Sequence, residues 1–189
     1  MKPELDFEKK YRLVREVIET IVLTILMFLV IRFAVQNFNV EGTSMEPSLH
    51  DTELILVDKW TYLFHPPQRG DVIVFHYPLD TSEDFIKRVI GLPGDTVTLD
   101  NKTVQVDGVV LHEPYISEAY NPSGKTIKVP MDEYFVLGDN RPLSDDSRDW
   151  GFVPKADLVG KAVIVYWPLS NWELINTYSN VYAQVKVSH

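Results

Sequence analysis

The sequence predicts a mainly β domain of mixed strands behind one N-terminal transmembrane helix. Three observations carry this. An apolar stretch from Ile21 to Ile31, broken only by Thr24, lies near the start, and beyond it the pattern changes from helical to alternating. The 151 residues from Asn39 to His189 then suit one domain with its own hydrophobic core.

Extended to Val17–Phe38, the apolar stretch has 22 residues. At about 1.5 Å per residue it reaches about 33 Å, enough for a hydrocarbon core of roughly 30 Å. Glu19, Thr20, Arg32, Gln36 and Asn37 interrupt it. Glu19 and Arg32 sit near its ends, where a long stem can snorkel to the headgroups. Two other readings compete: a cleaved secretory leader, for which Val40-Glu41-Gly42 barely supplies small residues at a cut, and a buried core helix. Lys2, Lys9, Lys10, Arg12 and Arg15 precede the span, and no Lys or Arg falls between Asn39 and Asp58. That asymmetry orients residues 1–16 to the cytoplasm, makes 17–38 the span and puts 39–189 outside.

Short strands follow. Glu53–Val57, Asp71–Phe75 and Thr96–Leu99 read as short strands bounded by turn residues, and further strands run through Tyr134–Leu137 and Lys161–Trp167. Asp107-Gly108, flanked by Val104–Val106 and Val109–Val110, is a two-residue hairpin signal, and Leu92-Pro93-Gly94-Asp95 marks a turn. His112–Pro130, with three prolines, reads as a long surface loop within an excursion around residues 96–136. Pro66-Pro67 marks another loop.

The formal net charge is −9, and residues 1–38 contribute +1. The remainder therefore presents an acidic surface, which argues against nucleic acid as a partner. With no cysteine, thiol chemistry and thiolate metal sites are excluded. His50, His65, His76, His112 and His189 show no zinc-ligand spacing.

A serine needs a base to become a nucleophile, and these histidines offer none in an evident pattern. A lysine with an ordinary pKa near 10.4 would be only about 0.04% neutral at pH 7, so it would have to be buried to serve. Phe85-Ile86-Lys87-Arg88-Val89-Ile90 offers that setting: strand alternation groups Phe85, Lys87 and Val89 on one face and Ile86, Arg88 and Ile90 on the other. Lys87 is the candidate base, and an edge-strand surface lysine is the alternative. Ser44 lies in a loop where Gly42 permits unusual backbone angles and Pro47 restrains Glu46.

The polar run from Gly138 to Gly151 is a third candidate segment. As a calcium loop it fails, because Trp150 takes the glycine position and Ala156 the closing acid position. Two readings remain: a brace in which Asp146 pairs with Arg148 while a hydroxyl orients an amine, or a purely structural ion-pair loop.

Ser44-Met45-Glu46-Pro47-Ser48-Leu49, Arg69-Gly70-Asp71-Val72-Ile73-Val74-Phe75, Lys87-Arg88-Val89-Ile90-Gly91-Leu92-Pro93-Gly94-Asp95 and Gly138-Asp139-Asn140-Arg141 through Arg148, in this order, resemble bacterial type I signal peptidase. The short length resembles the single-span form typical of Gram-positive bacteria. The resemblance implies a signal-peptidase-like mixed β catalytic domain, a cytoplasmic-membrane location, no metal or organic cofactor, and signal peptides of exported preproteins as substrates. It implies a serine–lysine dyad of Ser44 and Lys87, a Ser144 hydroxyl bonded to the lysine amine, and a supporting Asp146–Arg148 salt bridge. It places Phe38, Val40, Met45, Leu49, Val74, Phe85 and Ile86 around apolar pockets for small residues. Gly42 departs from members that carry an oxyanion-hole serine there.

Membrane lipid is a second expected partner, through Trp60, Tyr62, Leu63 and Phe64. Two other functions stay open at this point. One is a self-cleaving repressor with a similar dyad; the other is a non-enzymatic tethered β-domain that binds exported proteins.

Overall fold

The computed structural model describes residues 3–120 and 124–185; His189 lies outside them. The chain forms two compact units that divide between Gln36 and Asn37. The first is dominated by α1 (Pro3–Ala34). Within it Lys10–Ala34 includes an 18-residue stretch of mean hydropathy 2.3 that the protein does not bury, and is long and apolar enough to cross a membrane. The hydroxyls of Thr20 and Thr24 donate to the carbonyls of Glu16 and Thr20, each at 2.8 Å, so neither needs water. The helix ends before the expected limit at Phe38: Val35–Asn39 is a strand, β1, because its backbone takes a place in a sheet.

Beyond β1 come β2 (Leu54–Asp58), the single turn α2 (Thr61–Phe64), β3 (Val72–Tyr77), β4 (Asp80–Gly91), β5 (Thr96–Asp100), β6 (Thr103–Val106), β7 (Val109–Val110), β8 (Lys125–Lys128), β9 (Glu133–Leu137), the turn α3 (Ser147–Trp150), β10 (Val153–Pro154), β11 (Leu158–Trp167) and β12 (Glu173–Leu174). Among the described residues these strands form two sheets. The larger runs β1-β2-β11-β3-β4-β9-β10 with β12 beside β11, and the smaller runs β7-β6-β5-β8.

Alternation in β3 divides the larger sheet's core. Val72 and Val74 join Val40, Met45, Leu49, Ile55 and Val57 on one side, while Ile73 and Phe75 join Val89, Tyr134 and Val136 on the other. β4 pairs antiparallel with β3, setting Lys87 opposite Ile73 and Ile86 opposite Val74.

The surface excursion expected around residues 96–136 is instead a built layer. Val97, Leu99, Val104, Val106, Leu111 and Val129 are buried with Ile90, Phe135 and Leu137 of the larger sheet. The loop expected over His112–Pro130 contains β8, whose polar Lys125–Lys128 sequence is ordered by pairing with Thr96–Leu99 of β5. Pairing overrides local polarity there.

Candidate active site

Two loops and one strand meet at Ser44. Thr43–Leu49 forms tight turns, with Glu46 N–H donating to the Thr43 carbonyl at 3.1 Å and Leu49 N–H to the Met45 carbonyl at 2.9 Å. This winding turns Met45 and Leu49 into the core, where they are 1% and 0% exposed. It leaves Ser44 facing an open cleft of about 750 Å³. Gly42, at φ +82°, makes the bend before it, and its N–H donates to Asp51 Oδ1 at 2.8 Å.

The second loop follows β9. Asn140 N–H donates to the Ser44 carbonyl, and its side-chain amide donates to the Thr43 carbonyl, both at 3.0 Å. Gly138 allows this approach. A Cβ there would collide with the Ser144 side chain and the Ser44 carbonyl oxygen.

The strand is β4. Lys87 Nζ donates to Ser44 Oγ at 2.9 Å and to its neighbour's carbonyl, Ile86 O, at 3.1 Å. Lys87 is 4% exposed, and its amine stands 5.2 Å from the centre of the Phe85 ring. Burial penalises the ammonium form and brings the pKa down to about 8, against the opposing pull of Asp146, Asp145 and Asp139. Asp145, on the cleft wall, is itself shifted upward by partial burial and by the neighbouring Asp149 carboxylate.

The expected brace exists, with one change. Asp146 and Arg148 pair through two contacts of 2.8 Å, and Asp146 also accepts the Gly138 N–H at 3.0 Å. Arg148 ties this pair to the Arg141 carbonyl at 2.7 Å. The expected bond from Ser144 to the lysine is not formed: Ser144 Oγ is buried without a hydrogen-bond partner among the described residues. Lys87 spends its contacts on Ser44 and Ile86 instead.

Phe38, Val40, Val74, Phe85 and Ile86 line the cleft. Met45 and Leu49 do not; as the i and i+4 positions of a turn they point the other way, into the core. Sequence reasoning missed Ile55, Leu143 and the acidic wall of Glu41, Glu83, Asp84 and Asp145. Alternation in β2 was the available signal for Ile55. For Leu143, within a polar run, there was none.

A family described as signal peptidase, peptidase S26, matches residues 14–167. The chain belongs to this family. Among curated signal peptidases, it is 37% identical over 186 residues to a probable signal peptidase I-1 of Synechocystis sp., covering 94% of this chain and 95% of that protein. It is 42% identical over 164 residues to signal peptidase I of Leptolyngbya laminosa, covering 82% and 80% of the two chains. Signal peptidase IB of Staphylococcus aureus is 33% identical over 182 residues, covering 87% and 94%. A crystal structure of a signal peptidase I from Enterococcus faecalis is 40% identical, with a TM-score of 0.47 over 51% of this chain and 97% of that one. With its apolar N-terminal helix, this signal peptidase is a membrane-anchored protein.

Proposed function

We propose that this signal peptidase uses Ser44 as nucleophile and Lys87 as general base to cut N-terminal signal peptides from exported preproteins. The observation supporting this most directly is the 2.9 Å contact between a buried amine with a pKa of about 8 and a hydroxyl at the edge of a cleft lined by both apolar and acidic residues. In its neutral form the amine takes the Ser44 proton as the oxygen attacks the scissile carbonyl carbon. The resulting ammonium protonates the amine of the departing mature chain. The signal peptide is left as an ester on Ser44, which water deprotonated by the same lysine hydrolyses. Once Ser44 is acylated its hydroxyl no longer meets Lys87, and Ser144 Oγ, buried without a hydrogen-bond partner among the described residues, takes over as the amine's partner.

Ser44 N–H is the proposed backbone donor to the developing oxyanion. The Gly42 N–H is committed to Asp51 and is not a second one. Phe38, Val40, Val74, Phe85 and Ile86 shape the pockets that hold small apolar residues before the cut.

The catalytic domain is assigned to residues 39–189 on the outer side of the cytoplasmic membrane, with residues 1–16 inside, following the positive charges before the span. Ten residues separate Ala34, where the helix ends, from Ser44, at most about 36 Å of extended chain, which tethers the nucleophile to the membrane surface. Leu63 and Phe64, each 73% exposed, together with the partly exposed Trp60, suit contact with lipid. Tyr62 does not belong with them, since its hydroxyl donates to Asp71 Oδ2 at 3.1 Å. Unchanged liposome binding after serine replaces Trp60 and Phe64 would count against the lipid contact.

The full chain in detergent should release the mature part of a preprotein, and Ser44→Ala or Lys87→Ala should abolish release without unfolding. Cutting by Lys87→Ala would refute the dyad. A parent that never cuts would point instead to a tethered binding domain.

A further inference from the structure

The family match ends at residue 167, yet the segment after it reaches the residue next to Lys87. Arg88 is fully buried. Its guanidinium donates to Asp139 through Nε and Nη2, to Ser48 Oγ at 3.4 Å, to the Gly70 carbonyl at 2.9 Å and to the Asn176 carbonyl at 2.8 Å. Two rings flank the same group: Tyr115 with its centre at 4.4 Å and Tyr178 at 5.3 Å. Both Asn176 and Tyr178 come from the C-terminal strap, residues 175–185.

The strap is anchored on both sides of this contact. Ile175 N–H donates to the Val163 carbonyl at 3.0 Å, and the hydroxyls of Tyr182 and Tyr115 meet at 2.6 Å. Gly70 admits it, since a Cβ there would strike the Thr177 carbonyl oxygen. Tyr178 takes a left-handed backbone conformation, φ +48°, which L residues rarely adopt. Asn176 Oδ1 accepts the Tyr178 N–H at 2.8 Å and so supports that conformation. A strained residue held by its own side-chain turn delivers its ring to one guanidinium.

We propose that Tyr178 is a positioning residue for catalysis, acting through Arg88. Arg88 joins three segments that must keep register: β4 with Lys87, the Ser44 turn through Ser48, and the loop of Asp139, whose neighbour Asn140 holds the Ser44 carbonyl. Asp139 fixes one edge of the guanidinium, while Asn176 and the two rings fix its plane. Without the ring, Arg88 keeps Asp139 but gains freedom to tilt. The Ser44 turn and β4 then lose their common reference, and the dyad separation loosens.

This inference rests on the proposed serine–lysine chemistry, and preprotein cleavage by the full chain in detergent separates the two. If the parent does not cut, the proposed chemistry fails. If it cuts, Tyr178→Leu should lower kcat about tenfold per folded molecule while KM stays within about twofold. Tyr178→Phe, which keeps the ring, should cut like the parent. Asn176→Ala, at an exposed position, should lower kcat in the same sense even where Tyr178→Leu does not fold. Unchanged kcat in the folded Leu or Ala variant, or a Phe variant as slow as Leu, would overturn the proposal.

Discussion

Arg88 and Asp139 form a two-pronged ion pair, with contacts of 2.8 and 2.6 Å and neither side chain more than 1% exposed. The pair stands one residue from Lys87 on one side and one residue from Gly138 on the other. Removing one partner strands the other charge in the interior, which costs about 3 to 5 kcal/mol.

Arg88→Met and Asp139→Leu should therefore each lower the thermal midpoint sharply, while the double substitution restores part of the loss. Thermal unfolding of the four proteins, read by circular dichroism, gives the comparison. Single variants as stable as the parent would show that the pair does not hold the two segments.

Gly138 should tolerate no side chain. In Gly138→Ala the new methyl meets Ser144 and the Ser44 carbonyl, and a displacement of that kind near the dyad should lower kcat about a hundredfold. Steady-state cleavage measures it. Activity within twofold of the parent would mean that the loop yields freely.

Ser144→Ala should part stability from activity. The hydroxyl is buried without a partner among the described residues, so its removal should leave stability unchanged or raise it by up to about 1 kcal/mol. If Ser144 serves the lysine once Ser44 is acylated, kcat should nevertheless fall. A paired melt and rate measurement tests this; a stability loss above about 2 kcal/mol would instead reveal a structural hydroxyl.

Lys87→Met should inactivate the protein and stabilise it. The folded-state pKa, about 8, lies below the ordinary 10.5, so between those pH values the unfolded chain binds the extra proton and stability rises with pH. At pH 7 the buried ammonium costs on the order of 3 kcal/mol, which methionine avoids. The melting gap between variant and parent should narrow as pH rises from 8 to 10. A gap that ignores pH would mean that Lys87 titrates normally.

Much of this was legible because short apolar runs between turn residues announce strands: Thr96–Asp100 alternates in sequence and in burial, Leu54–Asp58 alternates in burial, and Val72–Phe75 is an apolar run buried on both faces. Strand alternation also singled out Lys87 between Phe85 and Val89. What was not legible depends on distant partners. Val35–Asn39 reads as the end of the helix until a sheet claims its backbone, and Lys125–Lys128 is too polar to look like a strand without β5 beside it. Met45 and Leu49 looked like pocket residues because their local winding is invisible in a list of side chains. The C-terminal strap was unreadable for the same reason, since Tyr178 matters through Arg88, ninety residues earlier.

The pH dependence of kcat/KM for preprotein cleavage tests the dyad most directly, because it reports the free enzyme's base. The rate should rise through a limb near pH 8 as the Lys87 amine loses its proton, and the limb should vanish with the activity in Lys87→Ala. A limb near pH 6.5, or one that persists at measurable rate in Lys87→Ala, would assign the proton to another group and contradict the account.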